Sequence, residues 1–94
     1  MAKQKDVAGI GRIYNGDVFL GEVLYKLNIT NGKVPGIKQV SGRMLSLQPT
    51  LRFQKGDRNM LRLEDGQMYD IAIHFSDEMT GKYLISGAWA RQQV

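Results

Sequence analysis

Cysteine is absent from the chain of 94 residues, which removes disulfides, thiolate metal sites and cysteine nucleophiles together. The lack of Cys fits a reducing compartment but also suits many exported bacterial proteins. Histidine occurs once, at His74. A metal site needs several well-spaced ligands, so none is expected, and no cofactor motif is read either. Proline occurs only twice. No stretch approaches the roughly 18 apolar residues of a membrane span. The polar start Met1-Ala2-Lys3-Gln4-Lys5-Asp6 has no apolar run behind it, so a signal peptide is not expected and the cytoplasm is the default location.

What remains is a globular composition, 43% hydrophobic and 23% charged, sized for a single domain across 1–94, with 1–7 and 90–94 read as tails. Eleven glycines separate short runs rich in Val, Ile, Leu, Tyr and Phe. No window carries apolar residues at helical spacing. Short strands with turn signals every 8–12 residues predict an all-β fold, a small antiparallel barrel of six or seven strands, with a two-sheet sandwich as the alternative. Strands are expected near Gly9–Tyr14, Val18–Ile29, Ile37–Leu47, Leu51–Phe53, Asn59–Leu63, Met68–Phe75 and Lys82–Gly87.

Side chains alternate across a strand. Tyr69, Ile71, Ile73 and Phe75 therefore share one face, taken as the core, and Phe19, Gly21, Val23, Tyr25, Leu27 and Ile29 share another. Parity also selects turn lengths. A loop Glu64-Asp65-Gly66 pairs Leu61 with Tyr69 and Leu63 with Gln67, keeping one apolar face; a two-residue turn would mix faces. A type I turn with Gly66 left-handed in a bulge is thus predicted. The same grammar at Tyr14-Asn15-Gly16 would set Gly11 opposite Phe19, making room for a ring. The turn at Asn31-Gly32 is ambiguous in register. Gly21 and Gly42 interrupt long strands and are expected as bends. Ser76–Gly81 reads as a loop with at most one helical turn, capped by Ser76 and ended by Gly81.

Catalytic constellations are thin. His74 and Asp70, four residues apart on one strand, would stand about 13 Å apart, beyond hydrogen-bond reach. Serines 41, 46, 76 and 86 lack a nucleophile elbow. Gly9-Ile10-Gly11 has no strand before it and no helix after it, so it is not a dinucleotide fingerprint. The acidic pairs Glu64-Asp65 and Asp77-Glu78 belong to turns. Arg58-Asn59-Met60-Leu61-Arg62 carries the two-arginine spacing of the PilZ family of cyclic-dinucleotide receptors. The second element of that family, Asp/Asn-x-Ser-x-x-Gly, has no counterpart downstream, and membership is not inferred.

A non-enzymatic binding module is therefore expected, for a protein partner or a second copy of the chain. The outward Val18, Leu20 and Leu24 need cover, Trp89 sits in the last segment, and Arg62 with Met68 and Met60 forms a second outer patch. The alternative is a nucleic-acid-binding barrel, since 13 Lys and Arg against 9 Asp and Glu give a net charge of +4. Its stacking rings would be Tyr14, Tyr83 and Trp89. A small molecule held in the barrel mouth is the weakest reading, and no membrane partner is expected.

Overall fold

The computed structural model describes residues 4–31, 38–48, 50–77 and 79–89. Its elements are β1 (Gln4–Asn15), β2 (Val18–Asn31), β3 (Lys38–Ser46), β4 (Arg58–Arg62), β5 (Met68–Asp77) and β6 (Lys82–Trp89). They close into an antiparallel barrel in the order β1-β2-β3-β6-β5-β4. The barrel form of the expected all-β fold is thus the one adopted. Following partners around the ring, Tyr14 faces Met60, then Asp70, Ala88, Gln39 and Thr30, and the circuit returns to β1 at Gln4, ten residues from where it began. Closing a sheet on itself requires such a stagger, and closure removes most exposed strand edge. At one seam, β4 pairs with β1 only along Arg12–Tyr14. Farther along it the Glu64 carboxylate accepts the Ile10 N–H at 2.9 Å in place of a strand.

The inward positions form one core of Ile13, Val23, Tyr25, Leu27, Val40, Met44, Leu61, Leu63, Tyr69, Ile71, Ile73, Tyr83 and Ile85, joined by Leu51 and Phe53. Leu51–Phe53 was expected to be a strand and pairs with none. Its alternation did report a buried face, but that face plugs a barrel end. The segment is tied down by side chains: the Phe53 N–H donates to the Tyr83 hydroxyl at 3.2 Å, and the two rings meet edge to face at 5.2 Å. Tyr25 and Tyr69 work alike at the 64–67 turn. The Tyr25 hydroxyl accepts the Glu64 N–H at 3.2 Å, and the Tyr69 hydroxyl donates to Gln67 Oε1 at 2.9 Å. Each ring thus fills the core while its polar end secures a loop.

The β4–β5 turn follows the parity prediction. Leu61 pairs with Tyr69, the Leu63 N–H donates to Gln67 O, and the Gly66 N–H donates to Leu63 O with Gly66 at φ 90°. The first hairpin does not follow it. Asn15 pairs with Val18 across a Gly16-Asp17 turn, Tyr14 pairs with Phe19, and Ile13 pairs with Gly21, leaving Leu20 unopposed as a bulge. One extra residue inverts parity, so Phe19 is 52% exposed and not in the core. Gly11 consequently faces Val23; it still makes room for a ring, since a Cβ there would stand 3.0 Å from Tyr25 Cδ2. A second bulge does the same on β5. Ile73 pairs with Ile85 and Phe75 with Leu84, so His74 is unopposed and Phe75, expected inside, lies outside at 52% exposure.

Gly42 is required by close approach: its backbone is at φ 152°, and a Cβ would run into the carbonyl oxygen of Lys26 and stand 2.9 Å from Leu27 Cα. In the loop after β5 the cap is Asp77, not Ser76. The Asp77 carboxylate accepts the Met79 N–H at 3.1 Å, and its carbonyl accepts the Gly81 N–H at 2.8 Å. Strand β1 begins at Gln4, inside the segment read as a tail. Ile37, Gly32, Glu78 and residues 90–94 lie outside the described residues.

Candidate functional site

Because the inward residues fill the barrel, its outer surface is the place to look for a site. The register sets the outward side chains of adjacent strands in rows. One row runs Ile10 (β1), Leu24 (β2), Leu45 (β3) and Lys82 (β6); the next runs Ala8, Lys26, Arg43, Leu84 and Phe75. Strands lie about 4.8 Å apart, so Ile10, Leu24 and Leu45 make an apolar bar about 10 Å long. They are 46%, 45% and 37% exposed. Large apolar side chains on the outer face of a closed barrel gain nothing from the barrel's own core. Contiguous exposure of this kind marks contact surfaces more often than single exposed residues do.

Ala8 is small where its row neighbours are long, and the surface dips there. The resulting groove, about 360 Å³, is lined by Ala8, Leu24, Lys26, Arg43, Leu45 and Lys82. Its three cations are exposed, and none has an ion-pair partner among the described residues, where the one ion pair joins Arg58 to Asp70 at 3.5 Å. Carboxylates stand close by without pairing with these cations: Asp6, two residues from Ala8, accepts the Asn28 side-chain amide, Glu64 accepts the Ile10 N–H, and Asp77, opposite Lys82, caps the following loop.

Of the residues singled out in the sequence, only Leu24 belongs to this groove. Val18 and Leu20 are exposed, but the bulge at Leu20 breaks the alternation and leaves both at the hairpin end, beside Phe19. There the Phe19 ring packs on Tyr14 at 5.6 Å with the Arg12 guanidinium 6.0 Å from its centre. Arg62 and Met68 are neighbours on β4 and β5, in the row that also holds Arg12, and β4 stands across the ring from β3. Trp89 ends β6, packs partly against the core and has Lys38 Nζ 5.8 Å from its ring. The expected stacking set does not form one platform: Tyr83 is fully buried, and the well-exposed rings are Phe19 and Phe75.

His74 lies on the outer surface, where its Nε2 shares a short hydrogen bond with Ser86 Oγ, while Asp70 is engaged by Arg58. No carboxylate hydrogen-bonds His74 among the described residues. Among the same residues there is no group of three or more His, Cys, Asp or Glu able to hold a metal ion. Among the described residues no helix is long and apolar enough to cross a membrane. Burial, and then the charge of Asp65, raise the Tyr69 hydroxyl above its ordinary 10.0, a structural effect. The chain matches no family model, no curated protein and no solved structure.

Proposed function

We propose that the protein is a non-enzymatic interaction module that docks a protein partner, another chain or a second copy of its own, on the outer face of β1, β2 and β3. The observation that carries this reading is the bar Ile10–Leu24–Leu45, set side by side by the register and half exposed. An interface gains stability by taking such side chains out of water, at about 25 cal/mol per Å² of apolar surface. By register the bar ends at Lys82; Leu84 and Phe75, exposed in the next row beyond Arg43, add apolar surface beside it.

The test is site-specific photo-crosslinking in the native host. A photoreactive residue at Leu45 should trap a discrete protein adduct, heterologous or a dimer of the chain. The same residue at Gln39, also outward on β3 but six residues along it, between Thr30 and Ala88, should trap far less. Equal trapping at both positions, or none at Leu45, would refute the reading. A second reading, binding of nucleic acid, draws on Lys26, Arg43 and Lys82 standing together. It predicts a mobility shift of labelled oligonucleotides that weakens steeply with salt.

A further inference from the structure

Resting on the interaction reading, we infer that the partner of the β1–β2–β3 groove is an acidic apolar segment of another protein, one or two large aliphatic or aromatic side chains flanked by carboxylates, and not a second copy of this chain. The floor and walls of the groove differ in chemistry. Leu24, Leu45 and Ala8 supply an apolar floor, while Lys26, Arg43 and Lys82 stand around it with no ion-pair partner among the described residues. Cations held on an apolar surface and engaged in no ion pair are complementary to an occupant that brings carboxylates, and such complementarity sets specificity and association rate.

The same cations argue against self-pairing. A two-fold contact through this patch would set Lys26, Arg43 and Lys82 of one copy against the same three of the other, and like charges in an interface disfavour it. Nucleic acid fits less well, because the exposed apolar residues between the cations are aliphatic, the Tyr25 ring beneath them is buried, and the exposed Phe75 ring lies outside the groove, beyond Leu84. A lipid surface is also the poorer fit. The site is concave, so an inserting side chain matches it better than a flat bilayer does.

The test is selection of a random dodecapeptide library against the folded 94-residue chain, followed by titration of the enriched peptides. Peptides joining Leu, Ile, Phe or Trp to Asp or Glu should be enriched. Their binding should fall by about ten- to a hundredfold when Lys26, Arg43 and Lys82 are changed together to Gln, since exposed ion pairs are worth about two- to fivefold each. Leu24→Thr with Leu45→Thr should weaken it at least as much. Both variants change only outward side chains, and circular dichroism must show them folded like the parent. Enrichment of uncharged apolar peptides that need Leu24 and Leu45 but ignore the Gln variant would overturn the acidic partner and leave the docking face standing. Peptides indifferent to Leu24 and Leu45 would overturn both. So would a 20-nucleotide oligothymidylate, or vesicles of phosphatidylserine and phosphatidylcholine, that bind through the cations where no peptide does. A concentration-dependent dimer in sedimentation that Leu24→Thr dissolves would replace the acidic partner with a second copy.

Discussion

Tyr83→Phe removes one oxygen and keeps the ring, which isolates the hydroxyl that secures the plug segment. In the folded chain that hydroxyl accepts the Phe53 N–H at 3.2 Å, and Phe53 is buried. The edge-to-face contact of the two rings and the volume of the core survive the change, so no large cavity term enters. What is left is a backbone donor with no acceptor and little access to water, a loss worth about 1–3 kcal/mol. The control is Tyr69→Phe, whose hydroxyl donates to the side chain of half-exposed Gln67. There the freed oxygen can turn to water, and about 0.5–1 kcal/mol is expected. In urea, with an m-value near 1 kcal/mol/M for a chain this small, Tyr83→Phe should lower the midpoint by about 1–3 M with m unchanged. Exchange of the Phe53 amide should quicken as well. A Tyr83→Phe midpoint no lower than that of Tyr69→Phe would refute the claim that this hydrogen bond holds the barrel end closed.

Glycine substitutions should separate space from backbone conformation. Gly42→Ala drives a Cβ into the backbone of Lys26 and Leu27, which cannot swing aside as a side chain can, and should cost about 2 kcal/mol or more by urea unfolding. Gly66→Val meets no atom within 4 Å and pays only for its φ of 90°, so about 1 kcal/mol or more is expected, and an unchanged midpoint would contradict the bulged turn. Alkaline titration reports on Tyr69. Its neutral form is favoured in the folded chain, so this stabilisation is complete below the ordinary value of 10.0 and is lost as pH rises through the higher folded value. Urea midpoints taken between about pH 9 and 12 should therefore fall more steeply for the parent than for Tyr69→Phe.

The barrel was legible because alternation carries most of it. Tyr69, Ile71 and Ile73 on β5, and Val23, Tyr25 and Leu27 on β2, are buried as parity requires. The Gly66 turn was legible for the same reason: only one loop length keeps Leu61 and Tyr69 on a common face. Parity fails where a residue is added to one strand alone. Gly21 marked an irregularity in β2 but not that Leu20 would be the extra residue, and nothing in Ile73-His74-Phe75 announces a bulge, yet each moves a phenylalanine from inside to outside. The groove was harder still. Leu24 stood out along its own strand, but Ile10 and Leu45 are its neighbours only through the β1–β2 and β2–β3 registers. Lys26, Arg43 and Lys82 are scattered along the chain and meet only once three strands are aligned. An outward leucine can be read from one strand; the row it belongs to is a property of the sheet.

The docking face is tested most directly by measuring stability and partner capture on one protein, Leu24→Thr with Leu45→Thr. Both side chains point out of the barrel, and threonine suits a strand, so urea unfolding should change by no more than about 0.5 kcal/mol. Photo-crosslinking, now with the photoreactive residue at Ile10, should lose its adduct. A folded double variant that still captures the partner would contradict the assignment of this face, and a variant that unfolds would show that the two leucines belong to the core.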